Sequence, residues 1–539
     1  MKSASIVVTT ALLSSLAGAA VMIHWQPDLS RHPIPTVHAD SLAKPPAKGD
    51  SPADKRDHAW TLFKSLAAQP PTQDHHPAWQ GWCAVGADDN NRMNLICPSQ
   101  VNFKGPSLPV NAVPLTPTAL TARMLHSFRH ARQLAVGRNG QALEDFNLVA
   151  GQGTLVAFET SEVLYNLPTA KMIIHCFSDG KKYPVVSFDK EHKNIGELTQ
   201  YFISSDRLAT VQPDCRGKNE TDGSFASLTD DSIVVKTVWA ATVSDTSPDG
   251  SGSTTTVPVW DPGQLPGPGA DPGHWPSRAS LVFGPGLQQC PFTEPATYNP
   301  LVTTVPLSCF YSIPLTADQF SDEVKGKILK IKQYDEVGST LGPVYMILLG
   351  FHVSTKEIPN WTWQTYWWSG RAASDSNGYG YGFQTPPIAD PSGSDYQWRR
   401  YVMSTTYGDG ADVSSSPSRA VYNPFLEGTF SLGIGDGTLS NCIVCHQYAR
   451  FRSGALSHTL DDFGKIQHCG IGPSLTPADQ TCQNYLQAGT KMDFLWSLAD
   501  SNVPFNPQAE KNEFESALGN LLDKILEERE KKARHRKSN

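Results

Sequence analysis

The sequence has no excess of positive charge: 44 Lys and Arg stand against 52 Asp and Glu, a formal net charge of -8. A general nucleic-acid binder carries the opposite footprint, so that class is excluded. Beyond the first two dozen residues there is no apolar run long enough to span a bilayer. Also missing, in the contexts that would give them meaning, are a Walker loop, a dinucleotide-binding glycine fingerprint, a metalloprotease helix and a Ser-His-Asp order. Gly433, Gly435 and Gly437 cluster in a loop without a strand before and a helix after, which is no phosphate cradle. Methionine is scarce, with 8 in all, and Met492 is the only one downstream of His446.

What is present begins with turn-formers. Gly 42 and Pro 41 favour a β-containing body over a helical bundle, and 539 residues predict more than one structural unit. At the N-terminus, Ser3 to Ile23 is uncharged and mostly apolar after a single lysine, the pattern of a secretory signal. Ala17-Gly18-Ala19 and, farther on, Val37-His38-Ala39 offer small-residue cleavage sites; retention as a single membrane anchor is the alternative. Residues 1–25 are therefore read as a signal peptide or N-terminal anchor, and 26–57 as a linker.

Eight cysteines fall into sequential neighbours, which predicts Cys83–Cys97, Cys176–Cys215, Cys290–Cys309 and Cys469–Cys482 as local disulfides of an exported protein. Residues 58–422 read as a β-rich, sandwich-like body. It opens with a helix on which Trp60, Phe63, Leu66 and Ala67 share a face, with Asp57 as its cap. The runs "TLVAFE", "MIIHCF", "PVVSF", "SIVVKTVWAATV", "GKILKIKQY" and "VYMILLGFHV" are expected strands. Residues 244–278, rich in Gly, Pro and Ser, are expected to form a disordered insertion. Trp361, Trp363, Tyr366, Trp367 and Trp368 are expected to pack as core, the alternative being that they line a haem edge or a carbohydrate-like ligand. Beyond residue 507, Phe514, Leu518, Leu521, Leu522, Ile525 and Leu526 make one helical stripe ahead of a basic tail, residues 507–539 in all. The fold class expected is α+β multidomain.

The chemically specific motif is Cys442-Ile443-Val444-Cys445-His446. Two thiols three positions apart can meet the two vinyl groups on one edge of a haem, and the adjacent histidine then lies under the iron. A zinc ribbon would need a second paired ligand set, and no other C-x-x-C exists here. A thioredoxin-like pair would want a strand before it; "SLGIGDGTLSN" stands there instead. Cys442 and Cys445 are the candidate covalent haem c attachments and His446 the proximal iron ligand.

On "AWTLFKSLAAQP", "PAWQGW", "GFHVSTKEIPNWTWQTYWW", "SNCIVCHQYA" and "MDFLWSLAD", the chain resembles exported bacterial cytochrome c family proteins with one haem motif near the C-terminus. That resemblance implies a small all-α cytochrome c-like unit over residues 423–506, in a periplasmic, secreted or inner-membrane-anchored protein. The compact bacterial c-type cytochromes, which this unit resembles, place a distal methionine some tens of residues after the haem histidine, which implies Met492. His458 is the alternative distal ligand, with His468, a residue of the β-rich body or an open position also left standing. Where the family carries an acidic–histidine pair after the aromatic run, this chain has Trp367-Trp368, so no role of that pair transfers. The function implied is one-electron transfer with a protein redox partner. The alternatives are a haem-dependent oxidoreductase whose substrate the β-rich body binds, and a ligand-binding module with a structural haem. Whether the chain is an enzyme is left open at this point.

Overall fold

The computed structural model describes residues 52–67, 77–88, 92–100, 115–127, 129–130, 159–186, 193–204, 206–207, 213–216, 225–243, 256–260, 275, 277–283, 304–334, 344–369, 398, 400–407, 421, 423–427, 442–446, 449–451, 490–491, 493 and 507–538. The chain divides into Met1–Pro35 and Thr36–Asn539, and all the described residues belong to the second unit. The expected signal or anchor therefore lies outside them. No helix among the described residues is long and apolar enough to cross a membrane.

Helix α1 (Pro52–Ala67) starts ahead of the Asp57 expected to cap it, and buries Trp60, Phe63, Leu66 and Ala67 as their spacing requires. Two tyrosines fasten it to the body: Tyr366 donates to Ala59 O at 2.6 Å and Tyr407 to Lys55 O at 3.0 Å. Strands β1 (Cys83–Ala87) and β2 (Met93–Pro98) pair antiparallel with Ala84 opposite Ile96, so the next opposed pair is Cys83 and Cys97, which form a disulfide. Helix α2 (Pro117–Ser127), β3 (Arg129–His130), β4 (Glu159–Tyr165) and helix α3 (Leu167–Phe177) follow.

The run "MIIHCF", expected as a strand, is instead the second half of α3. Asn166 caps that helix by accepting from Thr169 N, and Pro168 sits in its first turn. A short apolar run has no period of its own, and these flanking residues decide it. The Cys176–Cys215 disulfide then ties α3 to the turn Pro213–Cys215. Cys309 is also disulfide-bonded, whereas Cys290, Cys469 and Cys482 lie outside the described residues.

Next come β5 (Tyr183–Val186), β6 (Asn194–Phe202), β7 (Ile233–Val243), β8 (Thr256–Pro258), β9 (Arg278–Val282), β10 (Thr304–Pro306) and β11 (Ser312–Pro314). Helix α4 (Asp322–Tyr334) takes up "GKILKIKQY", the second expected strand to be a helix. Its buried residues are Val324, Ile328 and Ile331, a spacing of four and three hidden among lysines. Strands β12 (Val344–Thr355), β13 (Thr362–Trp368) and β14 (Tyr401–Tyr407) precede the one-turn helices α5 (Pro424–Glu427) and α6 (Cys442–His446). The short strands β15 (Arg450–Phe451) and β16 (Thr490–Lys491) and the long helix α7 (Pro507–Ser538) complete the order.

Among the described residues, an 11-stranded antiparallel sheet runs β14–β13–β12–β7–β4–β1–β2–β6–β5, with β11 beside β12 and β3 beside β4. Strands β8, β9 and β10 form a separate small sheet. The described residues are thus mixed α/β around one large antiparallel sheet. Two of the runs expected as strands became helices, and helices supply much of the cover. Strands β7 and β12 are buried almost throughout, as strands covered on both faces must be. One core joins α1, α2, α4 and α7 to the sheet; there Phe514, Leu518, Leu521, Leu522 and Ile525 of the C-terminal stripe are buried. The tract 244–278 is not a disordered insertion where it is described: Val257, Val259, Trp260 and Trp275 are core, the two indoles 5.1 Å apart. Its apolar "VPVW" outweighs the surrounding Gly and Pro.

A second core lies about both disulfides. It gathers Tyr165, Ile173 and Phe177 with Phe225, Trp361, Trp363 and Ile443. Chain entering this region is positioned at Gly350, where a Cβ would lie 2.8 Å from Asn423 Nδ2 and 3.0 Å from Tyr366 O. Only glycine permits that approach. Asn423 uses it to donate to Thr365 Oγ1 and Tyr366 O and to accept from Phe425 N, fixing the start of α5 on the sheet.

Helix α2 also carries a pH-sensitive element. Burial pushes the His126 imidazole down from 6.5 to about 4, opposed by its bond to Val186 O at 3.0 Å. The unfolded chain binds the proton at the higher value and the native state only at the lower. Its contribution is therefore whole above about pH 6.5 and lost as pH falls toward 4. The lowering corresponds to about 3 kcal/mol. Urea titrations at mildly alkaline and mildly acidic pH should show His126→Gln losing less stability on acidification than wild type. Equal losses would contradict this assignment.

Candidate functional site

Helix α6 is the five-residue turn Cys442–His446 that holds the whole motif. In a helix, positions 442, 445 and 446 fall within one face, while position 443 is turned about 100° from 442. Ile443 is fully buried in the second core, whereas Cys442 and His446 are half-buried. The turn is thus seated by Ile443, with its sulfur and imidazole positions at the edge of the core. The Cys445 side chain lies outside the described residues. Ala449 N donates to His446 O at 3.0 Å and closes the turn. Cys442 Sγ lies 4.0 Å from Val421 O, which links the motif to the segment anchored by Asn423.

The His446 ring packs against Trp363, centroids 4.3 Å apart at 49°. Trp363 is itself held, donating from Nε1 to Asn360 O at 3.1 Å. It belongs to β13, whose outer neighbour β14 is the edge strand of the sheet. The aromatic tract expected to be core is core: Trp361, Trp363, Tyr366, Trp367 and Trp368 are all buried. One of its members additionally meets the candidate iron ligand.

After the motif, β15 and β16 pair antiparallel with Arg450 opposite Lys491 and Phe451 opposite Thr490. The pairing brings the chain around position 491 back to within a few residues of His446. Asp493 is buried, with Oδ2 accepting from Leu228 N at 2.7 Å and Oδ1 paired with Lys356 Nζ at 2.6 Å. Met492, His458 and His468, the distal candidates, lie outside the described residues. Sequence reasoning missed Lys356 and Asp493 as parts of this region; "KEIPNW" announces a turn, but nothing in it announces a partner at 493.

The motif suits a covalently held haem: positions 442, 445 and 446 fall within one face of a single helical turn, and the His446 ring packs against Trp363. A second grouping, His175 with Asp214 and Cys215, brings His175 Nε2 within 3.0 Å of Asp214 Oδ2. Its sulfur is committed to the disulfide with Cys176, which leaves two exposed donors, too few for a metal site. No protein-family model, no curated protein and no solved structure matches the chain.

Proposed function

We propose that this chain is an exported bacterial c-type cytochrome with one covalently bound haem, acting as a one-electron carrier for a protein partner in the periplasm. The observation that carries the reading is α6, a single helical turn whose positions 442, 445 and 446 share a face while the buried Ile443 roots it in the body. Cys442 and Cys445 would hold the group through two thioethers, each thiol adding across a vinyl group with no net oxidation. Iron porphyrin held there supplies reversible cycling between Fe(III) and Fe(II). His446 provides the proximal nitrogen, and the Trp363 ring against it restricts its rotation. The disulfides Cys83–Cys97 and Cys176–Cys215, with the bonded Cys309, support an oxidising compartment. The proposed cytochrome c-like unit is the part of the chain around this motif.

Met492 is the proposed distal ligand, its flanking residues tied to Arg450 on one side and Lys356 on the other. Met492→Ala should lower the reduction potential and alter the reduced-state spectrum, because thioether ligation raises the potential. Unaltered values would move the distal assignment to His458. In wild type, a potentiometric titration should follow a one-electron slope of about 59 mV per decade. Steady turnover of small reductants, lost in the cysteine variants, would favour the oxidoreductase reading instead. A spectrum locked in one oxidation state would favour a structural haem.

A further inference from the structure

In the Cys176–Cys215 disulfide, each cysteine directly follows a side chain that can ligate a metal. Helix α3 ends His175-Cys176-Phe177, and the turn Pro213–Cys215 ends Asp214-Cys215. One donor atom from each of His175, Asp214 and Cys215 lies within 4.8 Å of the others, and His175 Nε2 is 3.0 Å from Asp214 Oδ2. Cys176 Sγ, bonded to Cys215 Sγ, belongs to the same corner. Tetrahedral zinc takes sulfur at about 2.3 Å and nitrogen or oxygen at about 2.0–2.2 Å. Those bonds place neighbouring donors roughly 3.3–3.8 Å apart. The three donor atoms need draw in by only roughly an ångström to meet them.

More than the disulfide holds this corner together. Phe177 packs on Phe225 with ring centroids 4.9 Å apart, and both lie in the second core. Ser204 N donates to Phe177 O at 2.7 Å, and Ala226 N donates to Cys215 O at 2.7 Å. Arg216 and Phe225 form an isolated β-bridge. With the Cα atoms of Cys176 and Cys215 5.7 Å apart, side-chain rotation lets two free sulfurs separate while the backbone stays in place.

We propose that reduction converts this corner into a zinc site whose four ligands are Cys176, Cys215, His175 and Asp214. As a disulfide, the corner offers only the exposed histidine and aspartate. A reductant of the dithiol class supplies two electrons and two protons, becoming a disulfide itself and leaving Cys176 and Cys215 as thiols. Zinc then displaces both thiol protons and binds the two thiolates, the His175 nitrogen and an Asp214 oxygen. Two thiolates and an imidazole select zinc over magnesium or calcium. Disulfide and zinc are thus alternative ties between α3 and one turn, chosen by redox state. The site shares no ligand with the haem motif.

The test uses the full chain in a Cys442→Ala/Cys445→Ala background, which removes the C-x-x-C pair as a rival zinc ligand. A phosphine reduces it, since a dithiol would compete for the metal. Zinc alone should then slow alkylation of Cys176 and Cys215, read by peptide mass spectrometry, by about tenfold or more. Adding His175→Ala with Asp214→Ala keeps every remaining thiol and should abolish that protection. Cobalt in place of zinc should give sulfur-to-metal charge-transfer absorption that the same two substitutions weaken. Three results would overturn the proposal. One is alkylation at Cys176 and Cys215 that is indifferent to zinc or to those substitutions. Another is equal protection of Cys83 and Cys97, which marks zinc held by any close thiol pair. The third is a chain that loses its native circular dichroism on reduction and does not regain it with zinc.

Discussion

Replacing Cys442 and Cys445 together by alanine is expected to leave a folded protein with no haem that survives acid extraction. The two halves of that result have separate causes. Removing both sulfurs leaves nothing to attach to, since each would form one thioether and no other C-x-x-C pair exists in the chain. Folding does not need them: α6 is rooted by Ile443 in the second core, which also holds Trp361 and Trp363 and is stapled by Cys83–Cys97 and Cys176–Cys215. Single variants should keep one thioether and a weaker, more extractable pigment, while His446→Ala should keep attachment but lose the native spectrum. Circular dichroism matching wild type, beside a colourless extracted protein, is the expected pairing. Retention of full covalent colour in the double variant would contradict the assignment of the motif.

The largest stability effect is expected at Glu162. This carboxylate is wholly buried on β4, 3.4 Å from Arg123 Nε and 2.8 Å from the Ser127 hydroxyl that donates to it. Arg123 is as deeply buried and also donates to the Gln80 and Trp82 carbonyls. Glu162→Leu would leave the guanidinium charged in the core, at a cost of about 3–5 kcal/mol. Arg123→Met with Glu162→Leu removes both charges and should recover most of that loss. Urea unfolding midpoints decide it. A single variant within about 1 kcal/mol of wild type, below the cost of an uncompensated buried charge, would contradict this account.

Much of the fold could be read where the chain repeats a period over enough residues. The α1 face, strands β7 and β12, the C-terminal stripe and the aromatic tract all lie where their patterns place them. Two of the disulfides follow from neighbouring cysteines for the same local reason. Short apolar runs were the failure: "MIIHCF" and "GKILKIKQY" have six and nine residues, lengths at which strand and helix patterns overlap, and capping by Asn166 settles the first. At the candidate site, the proposal for Cys442, Cys445 and His446 rests on their spacing, which the sequence itself displays. Lys356 and Asp493 were not legible, because they pair across 137 residues and no local pattern encodes that contact.

The most direct measurement is peptide mass spectrometry of protein matured in a cell that possesses a working haem-attachment system. The account predicts that the peptide containing Cys442 to His446 carries the mass of one iron porphyrin, bound through both sulfurs. Recovery of that peptide with two unmodified thiols would contradict it.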